Sequence, residues 1–207
     1  MMGESCGSWF HGECEGTSLC PPRCPRYFDD AGRSYVVRPF EPRDRTALVA
    51  MYRDYPDDHR SMGVPPRTEV QIRDWLDALE DSGRNFVAVY DDDVVGHAGF
   101  APADTPEPEM LVYVDPAVHG RGLGTELTKH VVAFAAEDDC DAVALDVDRD
   151  NAAAIHVYRD LGFKETDSTP MEIEMELHTD TDVVLHIRRP PAERDVPRPE
   201  DWDAENA

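Results

Sequence analysis

The sequence is nearly without lysine. Lys129 and Lys164 are the only two among 20 basic residues, against 44 acidic ones, for a formal net charge of −24. So little positive charge leaves no basic face for a phosphate backbone, which sets nucleic acid aside as a partner. No apolar run approaches the roughly 18 residues of a membrane helix, so no membrane span is expected. The N-terminus, MMGESCGSWFHGECEG, has neither a basic n-region nor an apolar h-region. It reads as no signal peptide, and a cytoplasmic location is the expectation. No Cys-x2-Cys pair occurs: Cys6, Cys14, Cys20 and Cys24 follow a C-x7-C-x5-C-x3-C spacing around His11. That is a weak zinc pattern, and no metal is expected. Cys140 has no histidine near it in sequence and reads as a small buried hydrophobe rather than a nucleophile.

What is present is a composition of 41% hydrophobic and 31% charged residues in 207 positions, enough for one compact domain with a real core plus tails. The acids are scattered along the whole chain, which fits a solvated surface bathed in concentrated salt, where screening suppresses self-repulsion. The competing reading is an acidic protein made for basic partners. Residues 1–33, rich in Gly, Pro, Cys and Ser, read as a disordered extension, and residues 179–207 as an acidic, Pro-rich tail with one possible strand at 183–187. The domain is expected at 34–178. SYVVRPF, 34–40, reads as a first strand. Leu48, Met51, Tyr52 and Tyr55, then Ile72, Trp75, Leu76 and Leu79, mark two amphipathic helices. NFVAVYDDDVVGHAGF reads as a hairpin with an acidic turn, and EMLVYV, 109–114, as the fourth strand. A helix carrying Leu123, Leu127, Val131 and Phe134 follows, then the strand DAVALDV, a helix closed by Gly162, and an alternating strand with Met171, Ile173, Met175 and Leu177 on one face. The order is β-α-α-β-β-β-α-β-α-β, a mixed α/β sheet with helices on its faces.

Between the fourth strand and its helix lies VDPAVHGRGLGTEL, with Gly120, Gly122 and Gly124 in five residues. A Gly-rich turn before a helix N-terminus is an anion cradle when its backbone amides point outward, and Arg121 adds a cation. On the loop alone, a plain Gly-rich turn is an equal alternative. The spacing rules out two nucleotide motifs. No Gly-Lys pair exists for a P-loop, and a G-x-G-x-x-G frame fails at Thr125 from Gly120 and at Leu127 from Gly122.

Downstream, Asn151, Ala154, Ile155, Tyr158, Gly162 and Phe163 spell N-x-x-A-I-x-x-Y-x-x-x-G-F. Together the two motifs resemble the GNAT superfamily of N-acetyltransferases, over roughly residues 34–178. The resemblance implies a central mixed sheet of about six or seven strands with about four helices, splayed open between its fourth and fifth strands, with acetyl-CoA in the gap. It implies that the backbone of Leu111, Val112, Tyr113 and Val114 pairs with the pantetheine arm. It also implies that the amides of His119, Gly120, Arg121, Gly122, Leu123, Gly124 and Thr125 hold the pyrophosphate. Asn151 would contact the pantetheine or acetyl end beside Ala154, and Tyr158 would protonate the leaving thiolate. The family loop usually begins with Gln or Arg where this chain has His119, so Arg121 is the expected phosphate cation.

The implied reaction is direct attack of a primary amine on the thioester in a ternary complex, with the oxyanion held by a backbone N–H of the fourth strand. An amine near neutrality is mostly ammonium and needs a base. Glu109 is the candidate, with Glu107 behind it and a water relay possible; the alternative is that both are solvated acids. His97 either faces the acceptor site or is structural. The acidic stretch RDYPDDHRSMGVPPRTE favours a cationic acceptor, either a small amine or a protein lysine or N-terminus, in a monomer or homodimer. The rival reading is a non-catalytic acyl-CoA-binding module of the same fold.

Overall fold

The computed structural model describes residues 11–56 and 65–194. Expectations for residues 1–10, including Cys6, for the middle of the acidic stretch at 57–64, and for the tail beyond 194 lie outside the described residues. Five strands form an antiparallel run: β1 (Arg26–Phe28), β2 (Ser34–Pro39), β3 (Arg84–Tyr90), β4 (Asp93–Ala101) and β5 (Glu109–Val114). Beyond them, β6 (Ala142–Asp148) lies parallel to β5, β8 (Glu172–His178) antiparallel to β6, and β7 (Lys164–Ser168) on the outer edge. Together they make one mixed sheet of eight strands in the order β1-β2-β3-β4-β5-β6-β8-β7. Asp91 and Asp92 both take positive φ in the β3–β4 turn, the backbone that a two-residue hairpin needs and that aspartate tolerates.

The two faces of the sheet are covered by different helices. On one face α1 (Arg45–Arg53) and α2 (Glu69–Ser82) bury Leu48, Met51, Tyr52, Ile72 and Leu76 against Val94 and Tyr113. Thr68 caps α2 by accepting from Gln71 N–H. On the other face α3 (Leu123–Glu137) packs Leu123, Leu127, Val131 and Phe134 among Met110, Val114, Val143 and Met175. Each such side chain contributes about 1.5–3 kcal/mol through burial. Pleat parity divides β5 between the two layers: Met110, Val112 and Val114 face α3, while Tyr113 faces α1 and α2.

The sheet is not continuous. β5 and β6 pair only at Glu109↔Ala144, at the end where Ala144 N–H also donates to Pro108 O (3.0 Å). Past that pair the strands part, and among the described residues the rest of β5 has no strand on its β6 side. This is the splay expected between the strands EMLVYV and DAVALDV; one more strand at the front of the sheet makes them fifth and sixth.

Several expectations are corrected. Residues 1–33 do not lie wholly outside the domain, because Arg26–Phe28 pairs with β2 and Arg23 is buried on α3. DVVLHI is not a strand but the short helix α5 (Asp182–Ile187), which buries Val184 and Ile187, three residues apart, in the main core. An apolar run of six residues fits either period, and here the one-turn spacing prevails. The edge strand β7 has no alternation to announce it, since all five residues are exposed. With β1, β7 and α5 the described residues hold eight strands and five α-helices, against the six or seven and four expected. Met171 is 70% exposed and lies outside β8, so the apolar face of that strand begins at Ile173.

Candidate active site

The glycine loop sits where the splay opens. After β5, Asp115 accepts from Ala117 N–H and starts a single 3-10 turn, Pro116–Val118. Gly120 and Gly122 then take φ of +72° and +75°, a left-handed backbone that other residues adopt only under strain. Gly122 is the N-cap of α3, and the first intrahelical bond runs from Glu126 N–H to Gly122 O (3.0 Å). The amides of Leu123, Gly124 and Thr125 therefore have no intrahelical acceptor and point out of the helix start, where the dipole favours an anion. A Cβ on Gly120 would meet nothing within 4 Å, so that side of the loop is open.

Neither polar side chain of the loop hangs free. His119 Nε2–H donates back to Val114 O at 2.8 Å, which locks the loop onto the end of β5. Arg121 donates to Ala117 O (3.0 Å) and to Tyr35 Oη (3.3 Å), so part of its guanidinium braces the loop. Across the gap α4 (Ala152–Asp160) begins at Asn151, whose Oδ1 accepts from Ala154 N–H at 3.1 Å. That oxygen is a helix cap, so any contact from Asn151 to a ligand falls to its Nδ2. Tyr158, two turns on, packs half-buried against the main core and lies 5.6 Å from Phe163, ring centre to ring centre. Burial raises its phenol to about 12, so it stays protonated at neutral pH.

Glu109 stands at the closed end of the splay. The residue is exposed, yet its carboxyl is raised above its ordinary value, first by desolvation at the strand end and then by the charges of Asp146 and Glu174. Asp146 and Glu174 are direct cross-strand partners on β6 and β8, a like-charge pairing that costs stability. Glu107 is exposed. His97 is fully buried on β4: its Nδ1 meets Tyr52 Oη at 2.5 Å and its Nε2 meets Asn85 Oδ1 at 3.1 Å. Asn85 Nδ2 donates to Leu79 O, which leaves Oδ1 as the acceptor. Nε2 is therefore the protonated nitrogen of His97, and Tyr52 donates to Nδ1. Burial lowers His97 to about 3, so it is a neutral structural link rather than a base. Cys140 is buried, with its thiol pushed up by burial and then by Asp138, Asp141 and Asp139, which makes it a poor nucleophile. Among the described residues no group of three or more His, Cys, Asp or Glu is placed to hold a metal ion. No helix there is long and apolar enough to cross a membrane.

The loop follows the C-terminal end of β5 and α4 follows that of the parallel β6, so the two motifs lie at the same end of the sheet. The structure adds residues that motif reading missed. Asp146 and Glu174 were findable, because alternation puts both on the polar face of their strands. Tyr27, Tyr35 and Arg23, which brace the loop and the first turn of α3, carried no local signal.

A sequence model of the Acetyltransferase (GNAT) family matches residues 48–163, more than half of the chain. The chain is 34% identical over 135 residues to mycothiol acetyltransferase of Thermobispora bispora, covering 61% of this chain and 45% of that protein. It is 31% identical over 127 residues to streptothricin acetyltransferase of Streptomyces lavendulae, covering 60% and 62% respectively. It therefore spans about half the length of the curated relatives it matches. Among solved structures, yncA of Salmonella typhimurium, determined with its cofactor acetyl-CoA, superposes with a TM-score of 0.62 at 22% identity, covering 70% of this chain and 94% of that one. The parted sheet, the glycine-capped helix and the matched span agree: this chain belongs to the GNAT family of acetyltransferases.

Proposed function

We propose that the protein is an N-acetyltransferase that takes the acetyl group from acetyl-CoA to a primary amine by direct attack in a ternary complex. The observation that carries this reading is the single-pair junction of β5 and β6, which leaves an open strand edge leading to the bare amides of α3. A linear amide-bearing arm can add to that edge while its diphosphate meets the helix start. Acetyl-CoA supplies the activated thioester; the chain's own groups bind and orient it and move protons. A β5 backbone N–H would hold the carbonyl oxygen as it gains charge. Glu109, directly or through water and Glu107, accepts the ammonium proton, and its raised affinity for protons suits that task. Tyr158 presents an O–H to the departing sulfur. A phenol near 12 gives its proton to a thiolate of about 8.5 only uphill, so the O–H acts first as a hydrogen-bond donor. The proton lost by the nitrogen as it becomes an amide replaces any that Tyr158 gives up.

The acceptor reading is a cationic amine, supported by the carboxylates of Glu109, Asp146 and Glu174 gathered at the closed end of the gap. The dispersed acidity supports work in concentrated salt, in line with a halophile and a cytoplasmic setting. Phenylalanine at Tyr158 is expected to lower kcat by roughly 10²–10³-fold while the acetyl-CoA Kd stays within about threefold. Glutamine at Glu109 is expected to lower kcat/KM by roughly 10²-fold near neutrality. That deficit narrows as the pH approaches the amine's own pKa and no base is needed. A wild-type protein that binds acetyl-CoA yet turns over no amine would favour the binding-module reading instead.

A further inference from the structure

The described residues ahead of the matched family span do more than lengthen the sheet. Tyr27, on β1, donates its O–H to Arg121 O at 2.6 Å, 94 residues away in sequence and in the middle of the glycine loop. Its hydroxyl fills the space where a Cβ on Gly122 would stand, so the loop backbone approaches the phenol as closely as glycine allows. The Tyr27 ring lies 5.8 Å from that of Tyr35, which is fully buried and accepts from Arg121 Nη1. Arg121 is thus held at both its carbonyl and its guanidinium. One turn into α3, the same segment makes a second attachment. Arg23 donates from Nε and Nη2 to the two carboxylate oxygens of Glu126, each at 2.7 Å, and from Nη1 to Ile187 O. Both partners are about 5% exposed.

We propose that the segment from Arg23 to Tyr27 is a positioning element of the pyrophosphate site, fixing the Gly120–Thr125 loop through Tyr27 and cancelling the Glu126 charge through Arg23. The inference rests on reading that loop as the CoA site. Two physical effects follow. A loop with two glycines in left-handed backbone has much freedom to lose on binding, and a tie at its central carbonyl removes that freedom in advance. A carboxylate in the first turn of α3 would repel a diphosphate at the same helix start, and a bidentate guanidinium neutralises it. Burial, then the charges of Glu126, Asp29 and Asp30, hold the Tyr27 phenol well above its ordinary value, so it remains a donor.

The test is Tyr27→Phe in the full chain, which keeps the ring and removes only the donor. Titration with CoA is expected to show Kd raised by roughly fivefold to tenfold, the loss of one half-buried hydrogen bond. The KM for acetyl-CoA should rise in parallel, with kcat at saturation and the amine KM within about twofold. A merely structural tyrosine would lower the thermal midpoint and leave the CoA Kd unchanged. That outcome, in a chain whose wild type binds CoA, overturns the inference alone. A wild type that does not bind CoA overturns the reading of the loop and the inference with it.

Discussion

Replacing Arg23 by alanine destabilises the protein by about 3–5 kcal/mol, the cost of leaving a buried carboxylate without its counter-charge. Burial works against ionisation of Glu126, but the charge and hydrogen bonds of Arg23 outweigh it and hold the carboxyl below its ordinary range. With the guanidinium gone, Glu126 has His130 as its close neighbour, and burial lowers His130 to about 4, so it is neutral at pH 7 and offers no charge. Arg194 and Lys129 are also within electrostatic reach, and burial lowers both, Arg194 to about 10. The truncation also strands Ile187 O, which Arg23 now satisfies. Against a total stability of about 5–15 kcal/mol, such a loss leaves a marginal fold. Replacing both members of the pair with apolar residues, Arg23→Met with Glu126→Leu, is expected to recover most of the loss, since no charge is then buried. Urea denaturation of the two variants beside the wild type decides it. A loss under about 1 kcal/mol for Arg23→Ala would mean that the segment does not anchor on α3 in solution.

Acidification from about pH 6.5 is expected to unfold the protein well before its surface carboxylates are neutralised. His97 and His130 are about 1% exposed and neutral in the fold, with burial holding them near 3 and near 4 against an ordinary 6.5. Between pH 6.5 and 4 the unfolded chain binds both protons and the folded chain neither. Stability therefore falls with falling pH, by about 1.4 kcal/mol per unit for each histidine. Their surroundings offer little relief. His97 faces Tyr52, Asn85, Trp75 and its cross-strand partner Tyr113, with no carboxylate in contact among the described residues. His130 faces Glu126, whose charge Arg23 already claims. Below the ordinary carboxylate range Glu126 and Asp44 add to the loss. Each has a lowered pKa in the fold despite opposing burial, Asp44 through Arg38, so each contributes stability that disappears as it is protonated. Denaturant midpoints measured at steps from pH 7 to 4.5 in constant KCl should fall steeply, and His97→Gln should cut the slope by about half. A flat profile would show that the histidines take up protons without unfolding the chain.

The site was legible where its signal is local. The loop from Asp115 to Thr125 announces itself through turn residues and glycine spacing, and α4 through its cap, tyrosine and closing glycine. The splay was legible only through the family resemblance, since no residue on β5 or β6 states that the strands part. The clasp was not legible, because Arg23 and Glu126 lie 103 residues apart and neither has a neighbour that hints at the pairing. A Pro- and Gly-rich stretch with no period looks like a tail even when side chains such as Cys14, Arg23 and Asp29 are buried. The segment at 182–187 failed for a different reason: six residues are too few to separate a one-turn repeat from alternation. His119 and Asn151 show what a motif leaves open. Their positions match the pattern, but His119 bonds Val114 O and Asn151 Oδ1 caps its own helix.

Calorimetric titration of the wild-type chain with acetyl-CoA, CoA and NAD in multimolar KCl tests the central claim most directly. The claim predicts micromolar binding of acetyl-CoA and CoA at one site and none of NAD, because the loop's glycine spacing and the parted strands suit a diphosphate on a pantetheine arm. Failure of folded protein to bind acetyl-CoA would contradict it and return VDPAVHGRGLGTEL to an ordinary strand-to-helix turn.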